Sequence, residues 1–368
     1  MLLDDIRKDH IIKDDIMGRQ LASIQKVKEI NAISGADSIE VCSVLGWKVV
    51  TRKGEFKKDE LVIYVEIDSL LPIREEFEFL RKNCYKKNEN GEGFRIKTIR
   101  LKGQISQGIC FPLNILAEKL EKGVYTVKEG EDVTEVLEIT KYIPAIPAEL
   151  KGLVKGQFPS FIPKTDETRV QVLQDVLTRH KDKKCYVTEK VDGASVTYFV
   201  NKGEFGVCSR NLELSETEGN ALWKFARENK IEEKLKALGT NIAIQGELIG
   251  VGIQKNNLRL PETKVLFFNV FNIDAHQYLD CIFFQELIKK LELETVPVLE
   301  IGYSLEDNID KLVEKSKGFS ALNSKVFREG IVIRPLKEEL DMHMANGFGN
   351  GRLTFKAINP EYLLKYDE

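Results

Sequence analysis

Histidine, cysteine and tryptophan are scarce in this chain of 368 residues, which holds four, six and two of them. Cys42, Cys84, Cys110, Cys185, Cys208 and Cys281 lie far apart, form no CxxC pair and have no histidine at metal-finger spacing. That pattern excludes a disulfide-stapled module and a structural zinc site. No apolar run approaches the roughly 18–20 residues needed to cross a bilayer. The opening MLLDDIRKDHIIKDD is charged where a signal peptide needs an uninterrupted apolar stretch, so the expectation is a cytoplasmic protein with no membrane partner. Net charge is also nearly absent, at −3, which excludes a chain whose whole surface attracts polyanions. It does not exclude a patch: residues 81–104 hold eight Lys/Arg against two Glu, a local +6.

What is present is a globular composition, 42% hydrophobic and 31% charged, long enough for two domains of about 150–200 residues. Pro144, Pro147, Pro159 and Pro163, four of the ten prolines, crowd the stretch KYIPAIPAELKGLVKGQFPSFIPKTD, which reads as a linker over 141–163. Before it, over 17–140, short β-type runs (IEVCSV, WKVVTR, ELVIYVEI, FRIKTIRL, QGICFPL) recur between turn residues, as in a small antiparallel barrel or sandwich. Residues 1–16 form an extension ahead of it. After it, over 164–368, strands and helices mix, so the fold class expected is α+β. Thr165 is placed to cap a helix over TDETRVQVLQDVLTRH, and ETEGNALWKFARENKIEEKLKAL reads as one amphipathic helix closed by Gly239.

In FRIKTIRLKG the alternation slips by one residue near Thr98. A β-bulge there would keep Phe94, Ile96, Ile99 and Leu101 in the core and turn Arg95, Lys97, Arg100 and Lys102 to one outer face, a surface able to track phosphates. The plainer alternative is a solvated strand face. Further on, Glu189-Lys190-Val191-Asp192-Gly193 sets a lysine between two carboxylates in YVTEKVDGASVTYFV, which reads as strand, tight turn and returning strand. Strand alternation sends the amine of Lys190 and the carboxylate of Asp192 to the same side, as a nucleophile beside a metal-binding acid would need. Alone, the motif is equally a surface hairpin with a local ion pair.

An ordered series follows it: Ser209-Arg210-Asn211, Gln245-Gly246-Glu247-Leu248, Phe267-Phe268-Asn269-Val270-Phe271-Asn272, Arg328-Glu329-Gly330-Ile331-Val332-Ile333-Arg334 and Thr354-Phe355-Lys356. The set resembles the sequential motifs of the covalent nucleotidyltransferase superfamily, which comprises ATP-dependent polynucleotide ligases and mRNA-capping enzymes. RQLASIQKVKEINAISGADSIEVCSVLGWKVV, RIKTIRLKGQISQG, FPSFIPKTDETRVQ and AINPEYLLKY are similar to the RNA ligases that carry an OB-type module ahead of the nucleotidyltransferase domain. DNA ligases and capping enzymes place an OB domain after the last motif, whereas twelve residues follow Lys356 here. The resemblance implies an all-β OB-like barrel followed by an α+β, ATP-grasp-like adenylylation domain with antiparallel sheets.

It also implies a reaction and its residues. Lys190 would take AMP from ATP, pass it to a 5′-phosphate, and leave a 3′-OH to seal the strand, with RNA as partner and Mg²⁺ or Mn²⁺ as cofactor; separately, nothing in the sequence resembles a coiled-coil seam, so a monomer is the default expectation. Lys356 would hold the α-phosphate as a second catalytic residue. Arg169, Glu189, Ser195, Arg210, Glu247 and Arg334 would line the nucleotide pocket, with Phe271 stacked on adenine. Asp192, Glu247 and Glu329 are the hard oxygen donors for the metal. The lysine must be neutral to react, and desolvation with nearby cations such as Lys356 or Arg334 would lower its pKa. Two departures stand out: Thr354 replaces the first lysine of the usual Lys-x-Lys, leaving Lys356 alone or with Arg352, and Arg334 stands where lysine is common. Gly347, Gly349 and Gly351 mark a turn insertion or a lid. The competing readings are an inert nucleotidyltransferase domain behind a working OB module, and a DNA ligase or GTP-using capping-type enzyme.

Overall fold

The computed structural model describes residues 20–88, 91–116, 127–143, 153–341, 344 and 351–366, and in it the N-terminal alternating runs form a nearly closed antiparallel barrel. Its long strand, Ala22–Ala32, pairs through its first half with Leu61–Val65 and through its second with Ile39–Val44, with an irregularity between Val27 and Glu29. Sharing one strand between two neighbours in this way curls the sheet on itself. Trp47–Arg52 and Ile109–Phe111 complete that sheet, and Thr140–Lys141, Ser69–Leu71, Gly91–Arg95 and Tyr85–Asn88 make a second. Ile24, Val27, Trp47, Val62 and Phe94 fill the interior with no exposed surface.

The basic stretch departs from the bulged strand its pattern predicts. Gly91–Arg95 and Ile99–Leu101 belong to different sheets, because the chain breaks at Thr98, whose buried hydroxyl accepts from Gln107 at 3.3 Å. Ile99–Leu101 then doubles back on Gln104–Ser106 through Lys102-Gly103, both at positive φ, a turn whose twist matches a hairpin. Ile99 and Leu101 therefore lie at the surface rather than in the core. Arg95 is the converse correction: it is buried, 3.3 Å from Asp68, with its guanidinium 4.5 Å from the centre of the Tyr142 ring. Only Lys97, Arg100 and Lys102 of the four cations reach the outside.

The boundary between two compact units falls between residues 146 and 147. Part of the expected linker is built into the second: Val154–Gln157 pairs with Leu212–Leu214, Ile162 packs on Phe199 and Phe271, and the carbonyl of Pro163 accepts from Gln245. Phe158, Phe161 and Ile162 supply the apolar area that a free linker lacks. Residues 1–16, Gly347 and Gly349 lie outside the described residues.

The second unit is α+β. A seven-stranded antiparallel sheet runs in the order Val154–Gln157, Leu212–Leu214, Glu204–Cys208, Ala194–Asn201, Ile242–Ile249, Lys264–Asn272, Gln277–Tyr278. A five-stranded sheet runs Thr168–Arg169, Phe355–Ile358, Gly330–Pro335, Lys184–Lys190, Val298–Ser304, with its first pair parallel and the rest antiparallel. Leu222, Trp223, Ile231, Leu235, Phe284 and Ile288, from helices Ala221–Glu228, Ile231–Lys236 and Cys281–Lys290, cover one face of the larger sheet. Val176, Leu177, Ile309 and Leu312 do the same for the smaller. The other face of the smaller sheet is left for a site, as is the part of the larger sheet's other face that the cluster of Ile162, Phe199, Ala243 and Phe271 does not fill. Among the described residues no helix is long and apolar enough to cross a membrane.

Three local expectations change. The helix after the linker spans only Gln174–Arg179, because Thr168–Arg169 pairs with Phe355–Lys356 and Val170–Val172 forms a 3₁₀ turn. The amphipathic helix is two, broken where Lys230 takes a left-handed φ of 52°. Most consequentially, Lys184–Lys190 and Ala194–Asn201 are not a hairpin: each pairs within its own sheet, and Asp192-Gly193 carries the chain from one to the other. A Cβ on Gly193 would collide with the carbonyl of Leu248 and with Ile249, so the crossing point admits no side chain.

Candidate active site

Because Lys190 ends a strand at the crossing between sheets, both sheets present residues to its amine. Cross-strand pairing puts Thr188, Val332 and Lys356 side by side on one face of the smaller sheet, with Lys190 opposite Gly330 and Arg169 beside Lys356. Its other face, with Val187, Ile331, Ile333 and Phe355, is core. A Cβ on Gly330 would strike the carbonyl of Ala357, so glycine keeps the strands close beneath Lys190. From the larger sheet come Ser195 and Glu247, directly paired across adjacent strands.

The electrostatic centre is acidic. Lys190 Nζ donates to Glu329 Oε1 at 2.5 Å. Burial alone would pull the amine's pKa down, but Glu329, Glu247 and Asp192 outweigh it and hold the pKa above that of an ordinary lysine. The expected lowering is therefore not a property of the free protein. The same enclosure pushes Glu247 up to about 8 and raises Glu329, although Lys190 opposes both shifts. Asp192 Oδ2 accepts from Tyr362 Oη at 2.6 Å and from Asn257 Nδ2 at 2.9 Å.

Among the described residues no three acidic, histidine or cysteine side chains converge closely enough to cage an ion by themselves. The donors do fit a hard cation that shares its shell with phosphate oxygens. Glu329 Oε2 is buried with no hydrogen-bond partner, and the carboxylate of Glu247 makes no hydrogen bond among the described residues.

The remaining candidates divide. Ser195 Oγ lies 3.2 Å from Thr165 Oγ1, and Arg210 reaches Asp166 at 2.6 and 2.7 Å, close enough to Glu247 to act on its charge. Arg334 is buried, bound to Glu167 at 3.0 Å and lodged 5.8 Å from the centre of the Phe268 ring. Glu189, one residue from Lys190, points to the opposite face, where its carboxylate accepts from Ser320 Oγ at 2.5 Å and from the amide of Ala321 at 2.7 Å. It braces the loop before Glu329 and presents no side-chain atom to Lys190. Arg352 is likewise engaged elsewhere, by Glu338 and Asn269. Thr354 stands buried with its hydroxyl unpartnered.

Phe271 is walled in by Ile162, Phe199, His276 and Tyr278 and offers no ring face. The register slips between Gln245 and Gly246, so that Gln245 faces Asn269 and Gly246 faces Phe267. Phe268, left out of the ladder, is the half-buried aromatic beside Arg334. Sequence reasoning missed Phe268, Asn257 and Tyr362. The doubled Phe267-Phe268 inside a strand was a signal for the bulge, and Tyr362 lies in the AINPEYLLKY segment that carries the family resemblance; Asn257 carried no signal.

Comparison with known proteins bears on all of this. A family model described as an OB-fold domain matches residues 21–113, and one described as RNA ligase matches residues 183–358. Solved structures of an RNA ligase from Naegleria gruberi superpose over nearly the whole chain. An unliganded form has 38% identity and a TM-score of 0.84, covering 96% of this chain and 99% of that one. The form with pyrophosphate has 39% identity and a TM-score of 0.83, covering 95% and 99%. The form with ATP and manganese has 38% identity and a TM-score of 0.84, covering 94% and 99%. No curated protein matches.

Proposed function

The chain belongs to the RNA ligase family, and we propose that it uses ATP and a divalent cation to join a 3′-OH to a 5′-phosphate in RNA, sealing nicks in duplex RNA or RNA–DNA hybrid. One observation carries this reading: the Lys190 amine lies at a crossing of two sheets, 2.5 Å from Glu329, with Lys356 on the same face and Glu247 opposite. The ATP and manganese bound by the similar Naegleria enzyme support it.

In the first step the lysine nitrogen attacks the α-phosphorus of ATP, the N–P bond forms, and the bond to the β-phosphate oxygen breaks to release pyrophosphate. Lys190 rests as an ammonium, so its proton must first leave, and Glu329 Oε1 is the acceptor in contact with it. A divalent cation held by Glu247, Glu329 and the second oxygen of Asp192 would offset the acidic field and the charge gathering on the phosphates. Lys356 faces the same space and counters negative charge on the α-phosphate. Arg169 and Ser195 border it, and Phe268 offers an aromatic face where Phe271 has none. In the second and third steps the 5′-phosphate takes AMP from Lys190, and the 3′-OH then displaces AMP.

The test is incubation with ATP labelled on the α-phosphate and Mg²⁺ or Mn²⁺, beside Lys190→Ala, then denaturing electrophoresis and a nick-sealing assay. Stable label on the wild type alone, with sealed RNA, is the expected result. A folded wild type that takes no label would leave only a binding function.

A further inference from the structure

The loop leading into Glu329 carries a feature that nucleotide transfer does not use. Phe319 and Phe327 face each other across a short backbone bridge, and their rings stack with centroids 5.3 Å apart and planes within 15°. Phe319 is 56% exposed. The pair is rigidly mounted: Arg328 donates to the carbonyl of Lys317, and Ser320 and Ala321, the two residues after Phe319, are held by Glu189 on the Lys190 strand. Lys365 Nζ lies 5.3 Å from the centre of the Phe327 ring. Lys365 and Lys325 are exposed, and neither has a carboxylate partner among the described residues.

A buried carboxylate and an arginine thus hold an aromatic ring out toward water, with cations beside it. Phe327 precedes Glu329 by two residues, at most about 7 Å of chain. Glu329 in turn touches Lys190. With the side chains of Phe327 and Glu329 and the spacing of the two rings added, the stack stands within about 25 Å of the amine, roughly seven nucleotides at 3.4 Å rise per nucleotide along a strand. Aromatic faces that take successive bases, flanked by lysines for the phosphates, are the means by which proteins hold single strands without reading sequence.

We propose that Phe319 and Phe327, with Lys325 and Lys365, form a stacking platform for a nucleobase close to the RNA end that reacts at Lys190. This rests on the ligase reading above. It places a substrate contact in the adenylylation domain itself, separate from the basic strands of the first unit.

The test uses the full chain and nicked RNA duplexes carrying 2-aminopurine at successive positions on either side of the nick. Stacking on Phe319 should quench one position near the junction. Phe319→Ala should abolish that quenching, weaken binding of nicked RNA about tenfold, the weight of one base–aromatic stack, and slow sealing while lysyl-AMP forms as before. Phe319→Tyr should restore all three. The proposal is overturned if no position is quenched, or if Phe319→Ala binds and seals RNA like the wild type, in which case the exposed pair serves a protein partner or none. Quenching is read without any ligation. A wild type that stacks the base yet forms no lysyl-AMP would sink the ligase reading, and one that forms lysyl-AMP without quenching would sink only the platform.

Discussion

Asp192 has one oxygen committed to Tyr362 and Asn257, so only the other is open to a cation. A hydrogen bond to a charged acceptor is worth about 1.5–3 kcal/mol, enough to hold the carboxylate in one orientation. Tyr362→Phe should therefore raise the Mn²⁺ concentration for half-maximal lysyl-AMP formation about tenfold and leave the maximal rate little changed. A lower maximal rate at unchanged half-saturation would show a different role. Glu247 gives a pH prediction. Its folded-state pKa, raised to about 8 by burial, lies above the unfolded value near 4.5, so folding favours its protonated form. Its contribution to stability is full below about pH 4.5 and is lost as pH rises toward 8. Thermal melts of Glu247→Gln beside the wild type should show a stability gain that widens across that window and levels off above it. A gap independent of pH would mean the carboxyl titrates normally.

At the scale of elements, Arg352 ties together strands that carry the site. It grips Glu338 bidentately, donates to Asn269 on the larger sheet at 3.0 Å, and lies 3.7 Å over the Tyr278 ring. Removing one member of such a buried pair leaves an uncompensated charge and costs about 3–5 kcal/mol. Urea unfolding of Arg352→Ala should show a loss of that size, and pairing it with Glu338→Leu should recover a good part. If the double variant is no more stable than Arg352→Ala, the energy lies in the contacts to Asn269 and Tyr278 instead. Glu189 shows why a motif residue is not always a pocket residue: strand alternation sends it away from Lys190, where it fixes the loop before Glu329.

Across the whole molecule, net charge near zero coexists with a basic surface in the first unit. With Arg95 buried on Asp68, that surface reduces to Lys97, Arg100 and Lys102. Reversing these three charges should weaken RNA binding and lower the salt dependence of affinity by about one unit of slope for each phosphate no longer neutralised, with lysyl-AMP formation intact. Equal loss of both activities would mean the strands matter for folding. Arg95→Glu belongs to another class: it sets a second acid beside Asp68 and should unfold the barrel.

The sequence by itself determined the order of domains and the α+β character of the second, because alternation is a local property, and it pointed to the charged residues that meet at Lys190 through the resemblance of their motifs to those of the nucleotidyltransferases. Tertiary structure decided which of these share a space. The chain at Asp192-Gly193 changes sheets where a hairpin was expected, since Gly193 packs against the backbone of Leu248 and strands choose partners by burial rather than by nearness in sequence. That crossing, together with the register slip at Gly246, turned Phe268 rather than Phe271 toward Arg334. It also set three carboxylates around one amine, reversing the direction of its pKa. Long-range packing fixes such relations, and no window of sequence contains them.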